Sequence, residues 1–243
     1  MKVIGRGMVA HGFTPYAETL PDVVIFASGV SDSTCTDLKA YARERHLLYN
    51  TLQTCHNNRQ RIVYFSSGGA IYGHTDALRH EDTPTYPATD YGRHQLFCES
   101  VIINSGVPYL IVRLPNLVGP SHNTAQLIPA LVQQARSGHA RLFQRATRDL
   151  IDITDMAALT VRLLQTHTTN QLVTIASGIS TPAIDLFAHI QAVLGTQAEV
   201  TLLDKGDQQR FSISKLCQLV DIVPPFPSDY HERLIRKYAS EIE

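Results

Sequence analysis

The sequence predicts an α/β protein built on a doubly wound parallel sheet. Apolar runs of strand length alternate with longer stretches whose apolar residues recur at helical spacing, which is the pattern of such sheets. Residues 22–29 form an almost continuously apolar run, as expected for a strand that is covered on both faces. Small or hydroxyl residues follow Ile4, Phe26 and Phe65, at the strand ends where ligands bind in this fold class.

The individual elements follow from the same patterns. Strands are predicted at residues 2–5, 22–29, 61–65, 109–113 and 172–176. Helices are predicted at residues 37–55, 91–104, 126–137, 181–194 and 230–238, with a further late helix around residues 212–216. Because Gly106 and Pro108 follow the second of these helices, we expect it to end there.

Composition and charge exclude several classes of protein. With a net charge of −1, the chain offers no electrostatic basis for binding nucleic acid or an anionic membrane. No apolar run reaches the roughly 18–20 residues needed to span a bilayer, and the N-terminus lacks a signal-peptide core. The cysteines are widely spaced without a CxxC pair, which predicts reduced thiols of a cytoplasmic protein rather than disulfides or a zinc site. They are Cys35, Cys55, Cys98 and Cys217.

A glycine motif follows the first predicted strand. Gly5, Gly7 and Ala10 form a GxGxxA pattern between a strand and a helical stretch, which is the context of a dinucleotide-binding turn. The glycines would let a pyrophosphate approach backbone N–H groups at a helix start. An ordinary glycine turn is the alternative interpretation, because the motif is short.

Residues 65–95 carry the main functional signal. An apolar strand runs into Ser66 and Ser67, and about one loop later Tyr91 opens a helix. This segment resembles the active site of the extended short-chain dehydrogenase/reductases, the NAD-dependent epimerase/dehydratase family, in an atypical form. The resemblance implies a Rossmann-like fold, Tyr91 as the acid/base, a serine hydroxyl that polarises the reacting carbonyl, and NAD or NADP as cofactor.

Gln95 stands where this family has a lysine, four residues after Tyr91. The two residues share a helix face, so a lysine there would favour the tyrosinate. A neutral amide leaves the pKa of Tyr91 nearer 10, so the phenol would serve better as a proton donor in a reduction than as a base. Gln95 can still hydrogen-bond ribose hydroxyls. His94 is expected to be an exposed helix histidine.

The family's catalytic hydroxyl aligns with Gly68, one residue after Ser67. Either Ser67 reaches the site through the adjustable Gly68 and Gly69 turn, or the hydroxyl is lost; we favour Ser67. The resemblance thus implies three catalytic residues: Tyr91, Ser67 and Gln95.

Two later segments extend the resemblance. The stretch that starts at Arg113 is similar to the family's RxxNxxGP signature, which implies that Asn116 contacts the phosphate of a nucleotide sugar and that Pro115 lies near the nicotinamide. Arg148 begins a stretch that looks like the family's RDxIxVxDxA segment, whose arginine binds the diphosphate of the sugar nucleotide. Asp152 and Asp155 in that stretch are interpreted as structural, at a strand end and a helix N-cap.

The N-terminal half is shorter than the family pattern. Only fourteen residues separate Gly7 from Asp22, where the family places two more strands and a helix. No acidic residue stands at a strand end to bind the adenine ribose, and Arg6 could instead meet a 2′-phosphate, which favours NADP. The implied cofactor contacts are Gly5, Arg6, Gly7, Ala10, Ala27, Ser28, Gly29, Ser66, Tyr91, Gln95 and Pro115. The implied substrate contacts are Ser67, Gly68, Tyr91, Asn116 and Arg148.

These observations support two functions. The first is an NAD(P)-dependent reductase or epimerase acting on a nucleotide-linked keto-sugar, in the cytoplasm, with no nucleic acid or membrane partner. The second is a cofactor-free protein of the same fold that binds a sugar nucleotide or a partner subunit, and a homodimer is left open. We expect residues 1–120 to form a shortened dinucleotide-binding core and residues 121–243 to form a substrate-binding lobe interleaved with the sheet.

Overall fold

The computed structural model describes residues 1–221 and 226–242 and has a five-stranded parallel sheet at its centre. Its strands lie in the order β1-β2-β3-β4-β9, and every neighbouring pair is parallel. They are β1 (Lys2–Ile4), β2 (Val23–Phe26), β3 (Arg61–Ser67), β4 (Tyr109–Leu114) and β9 (Gln171–Thr174). The predicted parallel α/β sheet is therefore confirmed, and all five of its strands coincide with predicted ones.

Helices cover both faces of this sheet. They are α1 (Met8–Gly12), α2 (Leu38–Asn58), α3 (Asp90–Ile103), α4 (Leu127–Ser137), α5 (Ile153–Gln165), α6 (Ala183–Leu194), α7 (Ser214–Val220) and α8 (Tyr230–Tyr238). Asp37 caps α2 by accepting a hydrogen bond from the Lys39 backbone N–H, and Asp152 caps α5 in the same way through Thr154. The structural interpretation of Asp152 is thus confirmed, whereas Asp155 lies in the first turn of α5 rather than at its N-cap.

The four residues of β2 are all buried, and they alternate between the two faces. Val23 and Ile25 belong to the larger apolar core, whereas Val24 and Phe26 belong to a second core. This alternation is the period-2 geometry of a strand that is covered on both sides. It explains why residues 22–29 show no polar alternation in the sequence.

The sheet is short on one side. Within residues 1–221 and 226–242, β1 is an edge strand whose one partner is β2, in agreement with the shortened N-terminal half. Between β1 and β2 the chain forms only α1 and a 3₁₀ turn at Thr14–Tyr16.

Three small two-stranded sheets accompany the main sheet in the described part of the chain. They pair β5 (Asn116–Val118) with β8 (Leu150–Asp152), β6 (His139–Phe143) with β11 (Glu199–Leu203), and β7 (Thr147–Arg148) with β10 (Thr181–Pro182). The larger core contains residues from Phe13 to Ile242, so both parts of the chain contribute to it. The division at residue 120 stays a prediction. None of the helices in the described part of the chain is long and apolar enough to cross a membrane.

Candidate functional site

A cavity of about 410 Å³ lies at the carboxyl ends of β1 to β4. Strand ends at this edge are where ligands bind in parallel α/β sheets. Eleven of the predicted site residues line it. These are Arg6, Gly7, Ala27, Ser28, Gly29, Ser66, Ser67, Tyr91, Gln95, Pro115 and Asn116. The structure therefore brings together residues that lie up to 110 positions apart in the sequence.

The glycine turn forms one wall of this cavity. Gly5 has a φ of +129°, and a Cβ built on it would lie 2.1 Å from the Ala27 carbonyl oxygen, so only glycine fits there. Gly7 is different, because a Cβ on it would meet no atom of the described chain within 4 Å. Its backbone is extended, at φ −82° and ψ −174°, and it precedes α1. Ala10 is buried inside α1 and does not line the cavity.

Tyr91 lies in the first turn of α3, and two local features fix its position. The Thr89 hydroxyl caps the helix by accepting from the Gly92 backbone N–H at 3.1 Å. A Cβ on Gly92 would lie 2.4 Å from the Ala70 carbonyl oxygen, so the missing side chain lets the helix start pack against the loop after β3. Tyr91 therefore projects from a helix end that is held against the strand carrying Ser67.

The pKa of Tyr91 is raised well above the ordinary value for a phenol. Burial is the main cause, and the negative charge of Glu44 adds to it, while a hydrogen bond with Ser67 acts in the opposite direction. At neutral pH Tyr91 is therefore a protonated phenol with a serine hydroxyl beside it. A Cβ on Gly68 would lie 2.8 Å from the Phe211 ring, so this position has no room for a second hydroxyl side chain.

Gln95 is 2% exposed and lies one helical turn after Tyr91. Its Oε1 accepts a hydrogen bond of 2.9 Å from the Tyr64 hydroxyl. The same hydroxyl lies 3.3 Å from Oε1 of Glu44, a buried residue of α2 that also lines the cavity. Sequence patterns gave no indication of Glu44 or Tyr64, because one is a polar residue within a helix and the other an ordinary strand tyrosine.

His94 is 5% exposed, so the expectation of an exposed helix histidine was wrong. Its Nε2 lies 3.1 Å from Oε2 of Glu44 and 3.6 Å from Sγ of Cys98. The Tyr41 ring packs on the imidazole with a centroid distance of 4.5 Å. α3 is buried by both α2 and the sheet, so this face of the helix never reaches solvent.

The two predicted diphosphate contacts differ in position. Asn116 lines the cavity, and its Nδ2 donates to the Asp149 carbonyl and to Oε1 of Gln209, both at 3.0 Å. Arg148 does not line it. Its Nη1 lies 3.3 Å from Oδ1 of Asp207 and 3.1 Å from the carbonyl of the same residue. An internal carboxylate therefore already holds the arginine that was predicted to bind an anion.

Comparisons with known proteins identify the family of this chain. The model of the NAD dependent epimerase/dehydratase family matches residues 14–176. A curated protein of Methanocaldococcus jannaschii, provisionally assigned as a UDP-glucose 4-epimerase, is 28% identical over 150 residues. That match covers 57% of this chain but only 48% of the relative, so the chain corresponds to about half of its length.

Solved structures share the fold at low sequence identity. The UDP-glucuronic acid 4-epimerase of Bacillus cereus, in complex with UDP-glucuronic acid and NAD, aligns with a TM-score of 0.78 at 20% identity. The UDP-N-acetylglucosamine 4-epimerase of Methanobrevibacter ruminantium M1 aligns with a TM-score of 0.77 at 21% identity. Each alignment covers 90% of this chain and 76% of the other. With a family match over more than half of its length, this chain belongs to the NAD dependent epimerase/dehydratase family.

Proposed function

We propose that this protein is an NAD(P)-dependent reductase or epimerase acting on a nucleotide-linked keto-sugar, with Tyr91 as proton donor. The observation that carries the proposal is the shared cavity, in which Tyr91 and Ser67 face the glycine turn and the end of β2. A phenol, a serine hydroxyl and a glycine-lined strand end are the groups that this reaction needs side by side.

The cavity walls fit the nicotinamide and pyrophosphate part of a dinucleotide. The space above Gly7 is open within the described chain, which leaves room for a phosphate against its backbone. The hydroxyl of Ser66 is buried at the cavity and has no hydrogen-bond partner among residues 1–221 and 226–242, so a ligand can satisfy it. Hydride transfer to or from a sugar carbon is the chemistry that the cofactor would supply there. NADP is the alternative to NAD, because Arg6 lies at the same cavity.

Tyr91 supplies the proton in this proposal. Its raised pKa keeps the phenol protonated at neutral pH, and the neutral Gln95 does not oppose this as an ammonium would. Reduction of a carbonyl consumes a proton at the carbonyl oxygen, so a protonated phenol with Ser67 as its hydrogen-bond neighbour suits that direction. The cytoplasm, as a reducing compartment, suits the unpaired state of all four cysteines.

The direct test is nicotinamide absorbance with a panel of UDP-, GDP- and dTDP-linked sugars and keto-sugars. Tyr91→Phe should lower turnover by roughly 10²–10⁴-fold, the usual contribution of a positioned acid. Tyr86→Phe is the matched control, because Tyr86 is 73% exposed in the preceding loop. If Tyr91→Phe turns over at the wild-type rate, Tyr91 is not the proton donor.

We propose that Asn116 and Arg148 contact the diphosphate of the nucleotide-sugar substrate. A diphosphate would compete with Asp207 for the Arg148 guanidinium, whose pKa is lowered by burial and held up by Asp207. Removing a charge-assisted contact costs about 1.5–3 kcal/mol, so Arg148→Ala should weaken binding by roughly 10- to 150-fold. Arg145→Ala is the control, because the exposed Arg145 side chain lies nearby and contacts the exposed Asp204. Equal affinity of Arg148→Ala and wild type for every sugar nucleotide would remove Arg148 from the site.

A cofactor-free binding protein is the second candidate. The observation in its favour is the edge position of β1 within the described chain, because the outer strands that hold an adenosine in a complete doubly wound sheet lie beyond the first strand. This candidate predicts binding of a sugar nucleotide without binding of NADH or NADPH. Calorimetry with both ligand classes separates the two functions.

A further inference from the structure

We propose that Glu44, His94 and Cys98 form a binding site for a zinc ion behind the wall of the cavity. All three residues are buried, and one potential ligand atom from each lies within 4.8 Å of the other two. A carboxylate, an imidazole and a thiol are the ligand types that zinc prefers in proteins. None of the three residues is assigned to catalysis in the proposed function, so metal binding can be tested separately from turnover.

The two distances that involve the imidazole nitrogen suit a tetrahedral ion, and the carboxylate oxygen and the sulfur lie within 4.8 Å of each other. With Zn–N of about 2.05 Å, Zn–S of about 2.3 Å and Zn–O of about 2.0 Å, tetrahedral angles give edges of roughly 3.3 Å for N···O and roughly 3.5 Å for N···S. The observed distances are 3.1 Å from Nε2 of His94 to Oε2 of Glu44 and 3.6 Å from the same nitrogen to Sγ of Cys98. The imidazole nitrogen therefore already stands at the correct separation from both partners.

The fold presents these ligands for local reasons. His94 and Cys98 are four residues apart on α3, so they occupy one helix face, and that face packs against α2, which carries Glu44. The Val30 backbone N–H donates to Oε2 of Glu44 at 2.9 Å, and the Tyr41 ring packs on the imidazole of His94. Such supporting contacts fix the direction of ligand side chains.

Charge also favours a divalent ion. Binding of the ion would displace the proton of the Cys98 thiol to solvent. The resulting thiolate and the Glu44 carboxylate carry two negative charges together, and a neutral imidazole adds none, so a dication makes the buried cluster neutral. Burial of uncompensated charge is costly, and a bound metal removes that cost. Glu44 lines the cavity, which gives an ion a route to the cluster and leaves the fourth coordination position for water or a ligand. Sequence spacing did not indicate the site, because Glu44 lies fifty residues before His94.

Cobalt provides the test, since Co²⁺ replaces Zn²⁺ and reports thiolate ligation by charge-transfer absorption in the near ultraviolet. Untagged protein is stripped with a chelator and titrated with Co²⁺, and then with Zn²⁺ against a chromophoric chelator. We expect one equivalent of Co²⁺ to bind with the thiolate band. Cys98→Ser should abolish the band and weaken Zn²⁺ binding by more than the roughly 10- to 100-fold that loss of a supporting contact causes.

Cys55→Ser is the matched control, because Cys55 is 0% exposed and belongs to the same apolar core as Cys98. It should keep both the band and the affinity. Absence of stoichiometric Co²⁺ binding to the wild type, or a band that persists in Cys98→Ser or disappears in Cys55→Ser, would overturn the proposal and leave the cluster as a buried hydrogen-bond network. If Cys98→Ser does not fold, X-ray absorption of the zinc-loaded wild type decides, through the presence or absence of one sulfur at about 2.3 Å.

Discussion

Placing a lysine at position 95 should lower the pKa of Tyr91. Gln95 follows Tyr91 by four residues on α3, which places their Cβ atoms about 5–6 Å apart, and we take about 6 Å as the separation of a lysine ammonium from the phenolate. At an effective dielectric constant of about 20, two unit charges at that distance interact by about 2.8 kcal/mol. Since one pKa unit corresponds to about 1.4 kcal/mol, Gln95→Lys should lower the pKa of Tyr91 by about two units.

The surroundings of position 95 also affect the Gln95→Lys variant. Position 95 is 2% exposed, so desolvation disfavours the ammonium, whereas Glu44, which shares the Tyr64 hydroxyl with Gln95, favours it. The variant also loses the hydrogen bond from the Tyr64 hydroxyl to the Gln95 amide, which costs about 1 kcal/mol of folding stability. Gln95→Met removes the same hydrogen bond without adding charge, and it is therefore the matched control.

The assay is ¹³C NMR of protein labelled at the tyrosine Cζ and treated with a chelator. The chain has ten tyrosines, and the Tyr91 signal is assigned by its absence from Tyr91→Phe. The Tyr91 signal should begin to titrate about two pH units lower in Gln95→Lys than in wild type or Gln95→Met. An unchanged Tyr91 profile in a folded Gln95→Lys protein would refute the electrostatic reasoning about this position.

Two predictions concern the buried polar groups. Glu99 accepts two hydrogen bonds from Arg113, at 2.7 and 3.1 Å, so Glu99→Gln should lower the free energy of unfolding by about 3–5 kcal/mol in urea denaturation. Glu232→Gln removes a half-buried carboxylate that pairs with the exposed Arg236, and it should change the free energy of unfolding by less than about 1 kcal/mol. Equal losses in the two variants would contradict the prediction. Burial lowers the pKa of His231 to about 4 in the folded protein, whereas the unfolded value is about 6.5. The neutral imidazole therefore contributes its full stability above pH 6.5, and this contribution is lost as the pH falls to 4. Between pH 6.5 and 4, the free energy of unfolding of the wild type should fall by about 3 kcal/mol more than that of His231→Gln, which retains the neighbouring Asp149. If the free energy of unfolding of the two proteins depends on pH in the same way, this assignment is wrong.

The main sheet was predictable because its strands are buried on both faces. Residues 22–29 contain no polar alternation, and the helices α2 and α3 carry apolar residues at helical spacing. The small sheets were not predictable, because the paired residues of β6 and β11 are 60 positions apart and each strand alternates too briefly to stand out. Short strands of this kind depend on the neighbouring elements rather than on local propensity.

Site residues that belong to a sequence motif were predictable, and the other site residues were not. Tyr91, Ser67 and Gly7 were found from local patterns, and the structure brings all three to one cavity. Glu44 and His94 were missed, because their roles come from the packing of α2 on α3, which no local pattern encodes. Arg148 was predicted from its motif, but its contact with Asp207 depends on a residue almost sixty positions later.

The central claim is that the cavity binds a nicotinamide dinucleotide, and calorimetric titration with NADH and NADPH tests it most directly. Gly7→Asp sharpens the test, because its extended backbone and open surroundings tolerate a side chain, and aspartate is a good residue before a helix. A carboxylate there should repel a pyrophosphate and weaken binding at least about tenfold, whereas Gly7→Ser should retain most of it. We expect the wild type to bind at least one dinucleotide, more weakly than a relative with a complete sheet. No heat from either dinucleotide at millimolar concentration, or equal affinity in wild type and Gly7→Asp, would contradict the account.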